Sequence, residues 1–272
     1  MSSLNRFLWL LGDLAAGLKG RRSTETRDSA RAAAPIDSLD LPALLHNPAI
    51  ATAWTAAEAR ISILGLTTVG GMNPGDRRAL YYLVRHLRPG RVLEVGTLAG
   101  ASTVHLAVGL ADAWPNSAAS GLLTVDIADV NDPERGAWRR LGLAQSPRQA
   151  MERLGLGGMV EFRVARSLDL LAQPGEPFDL VLLDGDHRLE TVMAEIPASL
   201  GRLRPGGLLL LHDYFPQLRP LWPRGRVIDG PARAVRRLQR AGWPIKVRPL
   251  GELPWPTKEG SRRTSLALLG RE

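Results

Sequence analysis

The stretch Arg91–Ala107, RVLEVGTLAGASTVHLA, decides the fold. A short apolar run (Val92, Leu93, Val95) meets a turn with glycines at 96 and 100. Apolar residues then recur at Val104, Leu106, Ala107, Val108 and Leu110 with helical spacing. The reading is strand, loop, helix. Glycine lets a backbone approach a ligand closely, and a helix start offers unpaired N–H groups to an anion. The turn is therefore a candidate cofactor cradle, though an ordinary strand-to-helix turn has the same local pattern.

Working outward, GGMNPGDRRALYYLVRHLRPG precedes the strand. Asn73 or Gly75 is expected to begin a helix with Leu80, Leu83, Val84 and Leu87 inward, stopped by Pro89-Gly90, and Gly70-Gly71-Met72 is a loose approach to the cradle. Further upstream, Ile36–Leu66 reads as helical with breaks at Pro42 and Pro48. Residues 21–34 are charged and small, as in a linker. Leu4, Phe7, Leu8, Leu11, Ala15 and Leu18 form an amphipathic helix too interrupted by Asn5, Asp13 and Lys19 to span a membrane. It is expected to dock on its own domain or in a homodimer, with membrane-surface contact as the alternative. Arg6 before FLWLLG has the flavour of a signal peptide, but Asp13 breaks the apolar region and no cleavage pattern follows, so a cytoplasmic location is expected. Residues 1–70 are read as an extension and 71–272 as the main domain.

Downstream, Leu122, Leu123 and Val125 form a strand ending at Asp126, placed to hold a ribose diol. A polar insertion from Asn131 to Ser146 follows. Val160, Phe162 and Val164 alternate as a strand, and Ser167 opens a helix. Leu180–Leu183 form a buried strand ending in Asp184-Gly185-Asp186-His187, and Leu208–Leu211 another ending in His212-Asp213-Tyr214. Asp229 is expected to cap a helix with an arginine stripe, and two strands at Ile245–Val247 and Leu266–Leu268 close the chain. The fold class is α/β, a doubly wound parallel sheet with helices on both faces and a C-terminal antiparallel pair. Ligands belong beyond the strand carboxyl ends. A dinucleotide is disfavoured: the turn lacks G-x-G-x-x-G, and Asp126 comes about thirty rather than roughly twenty residues after the turn.

Composition narrows the function. The net charge of +8 and pI near 10.8 invite a polyanion, yet only Lys19, Lys246 and Lys258 are lysines, an arginine bias that composition alone can produce. Nucleic acid is therefore not the expected partner. Zero cysteines exclude disulfides, thiolate metal sites and a cysteine nucleophile. Asp184, Asp186, His187, His212 and Asp213 crowd two strand ends, an oxygen-rich set that suits a hard cation such as Mg2+; singly, each acid could equally be a helix cap.

VLEVGTLAGAS, LLTVD, FDLVLLDGDH and LRPGGLLLLHDY, in that order, resemble class I S-adenosylmethionine-dependent methyltransferases. The resemblance spans about Met72 to Leu269. It is narrowest to the metal-dependent O-methyltransferase branch, which includes enzymes acting on natural-product sugars, the cephamycin-pathway enzyme and catechol-type enzymes. It implies that Gly96 and Gly100 approach the methionine part of the cofactor, that Ser102 hydrogen-bonds near its carboxylate, that Met72 is a further cofactor-binding residue, and that Glu94 supports the loop. By the same resemblance Asp126 takes the ribose, Ser167 lies by the adenine, and Asp184 and Asp213 hold the metal. Asp186 or His187 falls where relatives carry a base. His212 stands where relatives often have an acid, leaving it as a ligand, an outer group or a bystander.

The expected reaction is methylation of a hydroxyl. Trp222, Trp243 and Trp255, two of them in the proline-rich loops RPLWPRG and LPWPTKEG, suggest a stacking platform for a sugar or polysaccharide, with phenols and other small metabolites next. RNA methylation is the contrasting class. DGDH in place of an Asn/Asp-Pro-Pro-aromatic motif, and the absence of cysteine, speak against amino-group and pyrimidine-carbon chemistry.

Overall fold

The computed structural model describes residues 36–66, 71–115, 121–258 and 260–271. The amphipathic helix and linker, with the dimer and membrane-surface expectations that rest on them, lie outside the described residues. Among the described residues no helix is long and apolar enough to cross a membrane.

Nine helices and seven strands alternate along these residues: α1 Leu41–Leu45, α2 Pro48–Ser62, α3 Pro74–Leu87, β1 Arg91–Val95, α4 Ala101–Ala113, β2 Gly121–Asp126, α5 Ala137–Arg140, α6 Pro147–Arg153, β3 Val160–Val164, α7 Ser167–Ala172, β4 Phe178–Leu183, α8 Leu189–Arg202, β5 Leu203–Leu211, α9 Gly230–Arg240, β6 Ile245–Pro249 and β7 Ala267–Arg271. One sheet runs β3-β2-β1-β4-β5-β7-β6. Its first five strands are parallel, and β7 pairs antiparallel with both β5 and β6. This is the expected doubly wound parallel sheet with a C-terminal antiparallel pair.

The period of two along each strand divides the core. Val92, Leu122, Leu180, Leu182, Leu208, Leu210 and Leu268 enter one apolar cluster, and Leu93, Val95, Leu123, Val125, Val181, Leu183, Leu209, Leu211 and Leu269 enter the other. The first cluster also takes Leu80, Leu83 and Val84 of α3, Val104 and Leu106 of α4, and Leu44, Ile50, Trp54 and Ile61 of the upstream segment. Val192, Ile196 and Leu200 of α8 join the second.

Local chemistry sets the helix boundaries. Pro42 and Pro48 were expected to break a helix; both sit in first turns, where the missing N–H costs nothing, so they begin α1 and α2. Asn73 caps α3, its Oδ1 accepting from the Asp76 N–H at 2.9 Å, and Arg88 ends that helix in the left-handed region. Ser146 and Gln149 make a capping box on α6, while the preceding insertion holds only the one-turn α5. Asp229 precedes α9 as expected but caps nothing. Its carboxylate pairs with Arg233 Nε at 2.9 Å, and the chain starts the helix on Gly230-Pro231.

In the strand order, β1 and β4 are neighbours from which the chain winds in opposite directions. The crevice between their carboxyl ends is where ligands of such sheets bind.

Candidate functional site

At that crevice lies a cleft of about 840 Å³, a size typical of small-molecule sites. Its wall brings together most residues singled out by sequence: Met72, Gly96, Ser102, Asp126, Ser167, Asp184, Asp186, His187, His212 and Asp213. Gly100 and Glu94 are not part of the wall.

The cradle end is built from hydrogen bonds across β1 and β2. Asp126 Oδ2 accepts from the Thr97 and Leu98 N–H groups at 3.2 and 3.1 Å, and its Oδ1 accepts from the Ala128 N–H at 3.1 Å. The carboxylate thus fixes the glycine loop and keeps further lone pairs. Beneath the loop, fully buried Glu94 accepts from Thr103 Oγ1 at 2.6 Å and Thr124 Oγ1 at 2.7 Å. Burial pushes its carboxyl up to about 7 against the pull of these hydroxyls and that of Ser102. Glu94 thereby ties β1 to β2 and to the first turn of α4.

The glycines serve packing. A Cβ at Gly96 would meet the Asp184 carbonyl oxygen at 2.4 Å, and one at Gly100 would meet Pro147 Cβ at 2.9 Å; both glycines have positive φ. Each lets strand ends or helices close on one another.

Next to Asp126 stands Ile127, 78% exposed, a large apolar side chain left open in the cleft wall. Ala165, Ser167 and Leu168 continue this wall, and Glu195 of α8 meets Ser167, whose hydroxyl donates to Glu195 Oε1. Glu195 is 2% exposed, and burial pushes its carboxyl up to about 7.

The opposite end is a charged cluster. His212 Nδ1 lies 2.6 Å from Asp184 Oδ1 and 3.7 Å from Asp213 Oδ1, and its Nε2 lies 3.4 Å from Asp76 Oδ2. Asp76, on the first turn of α3, is fully buried and also accepts from Asn73 Nδ2 at 2.7 Å. Ser265 Oγ bridges Asp76 and Asp213 at 3.5 and 3.3 Å. Burial alone would depress the His212 imidazole, but Asp184, joined by Asp76 and Asp213, holds it well above the usual histidine range. The 2.6 Å approach of Nδ1 to Asp184 makes this a charge-assisted contact. Asp213 itself sits at φ 52°, a left-handed conformation of the kind that strained functional positions adopt.

His187 lies on the open side of this cluster, its Nε2 3.5 Å from Asp213 Oδ2 and 3.9 Å from Asp184 Oδ1, with the side chain 30% exposed. Its backbone is pinned from α9: a Cβ at Gly230 would lie 1.9 Å from the His187 carbonyl oxygen. Asp186 lines the same cleft, but its oxygens are taken up by its own neighbours. Its oxygens accept from the Arg188 N–H at 3.0 Å, Arg188 Nε at 2.7 Å and Thr191 Oγ1 at 2.8 Å, and Arg188 holds its carboxyl down at about 2. Asp186 organises the start of α8.

The structure does not show the expected metal site. A divalent cation needs a lone pair from each ligand, and an imidazolium with a carboxylate beside each nitrogen offers none. As placed, His212 is ion-paired with Asp184 and Asp213 and has no lone pair to give a cation, while the two carboxylates keep theirs. Among the described residues no group of three or more His, Asp or Glu side chains is arranged to hold a metal ion.

The tryptophan platform also changes. Trp255 is buried, donates from Nε1 to the Gly75 carbonyl at 2.9 Å and packs on Tyr82 and Arg78. Trp243 packs on the second core cluster, and Trp222 lies edge-on to Phe215 beneath Lys258. None of the three lines the main cleft.

Asp76, Ser265 and Glu195 escaped sequence reading. Glu195 left a signal, a charged residue on the inward stripe of Val192 and Ile196. Asp76 left none, because an acid in the first turn of a helix is ordinary there.

Residues 93–214 match a family model described as a methyltransferase domain. The chain is 28% identical to catechol O-methyltransferase of Mycobacterium tuberculosis over 220 residues, covering 75% of this chain and 89% of the relative. It is also 28% identical over 167 residues to the catechol O-methyltransferase of Niastella koreensis, covering 60% of this chain and 66% of that one. Among solved structures, the O-methyltransferase from Bacillus cereus in complex with S-adenosylhomocysteine superposes with a TM-score of 0.51 at 20% identity, covering 85% of this chain and 94% of that one. The O-methyltransferase TomG from Streptomyces achromogenes, in complex with S-adenosylmethionine, gives 0.50 at 22% identity, over 83% and 90%.

Proposed function

We propose that this chain is a class I S-adenosylmethionine-dependent O-methyltransferase that methylates a hydroxyl of a small molecule, with the proton taken by its own side chains rather than through a bound cation. The observation that carries the cofactor assignment is the pairing of Asp126 with the open Ile127 beside the glycine loop. A carboxylate next to an uncovered apolar face suits a nucleoside, whose diol and base need those two surfaces. Ser102, Met72 and the loop after Gly96 fall to the methionine part, and Ser167 to the base. S-adenosylmethionine supplies a sulfonium methyl that passes to the acceptor oxygen as the carbon–sulfur bond breaks and its electron pair returns to sulfur.

The chain's contribution is proton handling and positioning. His187 is the base: it is open to the cleft, and an imidazole suits proton transfer near neutral pH. Asp213 and Asp184 stabilise the imidazolium it becomes. The buried Asp76–His212–Asp184 contacts hold those two acids in place, so the field meeting the reacting oxygen is fixed before the acceptor arrives. Alignment of acceptor and methyl donor provides the rest of the acceleration.

A phenolic acceptor is the leading substrate class, supported by the catechol O-methyltransferase relatives. A sugar hydroxyl comes second, because the tryptophans that favoured it lie away from the cleft. Calorimetry with S-adenosylhomocysteine tests the cofactor site: micromolar binding that Asp126→Ala weakens at least tenfold is expected, and no binding to the wild type would remove the reading.

A further inference from the structure

A second, more open cavity of about 340 Å³ lies between two loops that the chemistry above does not use. Residues 216–228 bring Leu221 and Trp222 to it, and residues 251–263 bring Glu252, Ser261, Arg262 and Arg263. Along these two loops Arg219, Arg224, Arg226, Lys258, Arg262 and Arg263 stand against only Glu252 and Glu259, half of the chain's formal excess of +8. Among the described residues none of the five arginines is ion-paired. Cations gathered without counter-charges attract an anion into the space they line.

The cavity is also built. Ser261 ties its two walls, donating from Oγ to the Leu221 carbonyl at 2.8 Å and accepting from the Arg263 N–H at 3.0 Å. Arg262 donates from Nε to the Leu253 carbonyl at 3.0 Å and from Nη2 to that of Pro254, so its guanidinium is held in place. Both walls lead back to the reacting end. The first loop follows Asp213 by three residues and returns to the main cleft at Ile228, a residue of its wall. On the second, Arg263 is two residues from Ser265, a chain separation of about 7 Å at most, and Ser265 Oγ lies 3.3 Å from Asp213 Oδ1. The geometry points to an anion subsite for the acceptor: the methylated hydroxyl belongs to an aromatic acid whose carboxylate is held by Arg262 and Arg263. This rests on the phenolic acceptor proposed above and narrows it to acids. A guanidinium fork matches a carboxylate, and Glu252 in the same wall opposes it.

The test is methyl transfer by the full chain to caffeate and to its methyl ester, which differ in the charge of the tail. The wild type should show a KM about tenfold lower for the acid, and added salt should narrow that ratio. Arg263→Gln should bring the ratio to within about threefold, and Glu252→Gln, which removes the opposing charge, should widen it. Binding of S-adenosylhomocysteine reports that each variant is folded. A wild-type ratio near one, or a ratio that neither substitution moves, overturns the proposal. Transfer to catechol but to neither caffeate nor its ester also overturns it, and leaves the phenolic reading standing. If S-adenosylhomocysteine binds and none of the three phenols is methylated, the phenolic reading itself fails and takes this inference with it. Labelled RNA that binds and loses affinity in Arg263→Gln, with the acid-to-ester ratio near one, would give the surface to a polyanion and sink the proposal.

Discussion

A Cβ built on Gly96 would lie 2.4 Å from the carbonyl oxygen of Asp184 and 2.7 Å from its carbonyl carbon. The glycine of the cradle and the acid of the reacting end are thus one packing unit. The Gly96 N–H donates to the Val125 carbonyl and the Asp184 N–H to the Val95 carbonyl, each at 2.9 Å, so three strand ends meet at this point.

Gly96→Ala should therefore cost about 3 kcal/mol of folding stability, combining a positive φ with a clash against backbone that cannot rotate away. Urea unfolding checks this. A loss below about 1 kcal/mol would mean that the two strand ends separate freely.

Glu94 makes stability depend on pH. Its folded carboxyl holds its proton up to about 7, whereas an unfolded glutamate releases it near the ordinary value of 4.5. The folded state therefore binds the extra proton between these values, and the contribution is full below about 4.5 and lost as pH rises through about 7. Glu195 pulls in the same direction. Melting temperatures of the wild type should fall between about pH 5 and about pH 7.5. Glu94→Gln, which keeps bonds to Thr103 and Thr124, should flatten that slope; an unchanged slope would contradict the account.

His187 and Asp186 should separate cleanly. His187→Ala is expected to lower kcat about 100-fold with little change in S-adenosylhomocysteine affinity, as for loss of a general base. Asp186→Asn should change kcat less than about threefold and cost about 1 kcal/mol of stability, because its oxygens serve Arg188 and Thr191. Steady-state kinetics and urea unfolding on both variants decide the assignment, and the reverse pattern would move the base to Asp186.

The sheet was legible because its signals are local and periodic. The run Val92, Leu93, Val95 and the run Leu180–Leu183 each announce a buried strand, and glycine turns mark where they end. Even the C-terminal pair at Ile245 and Leu268 could be read that way. The site was legible only as positions. Sequence placed Asp184, His212 and Asp213 at neighbouring strand ends, but their relation depends on Asp76, which arrives from α3 and supplies a second carboxylate to His212. That contact spans 136 residues and leaves no periodic trace, so sequence left open whether His212 is a ligand, an outer group or a bystander. Trp255 misled for a similar reason: a proline-rich loop reads as exposed, and only the fold shows its indole bonded to Gly75.

The most direct measurement is transfer of a labelled methyl group from S-adenosylmethionine to catechol, simple sugars and total RNA, with and without a strong chelator. Transfer to the phenolic acceptor that persists in chelator is the predicted result. Transfer to RNA alone, or transfer abolished by chelator and restored by Mg2+, would contradict the account.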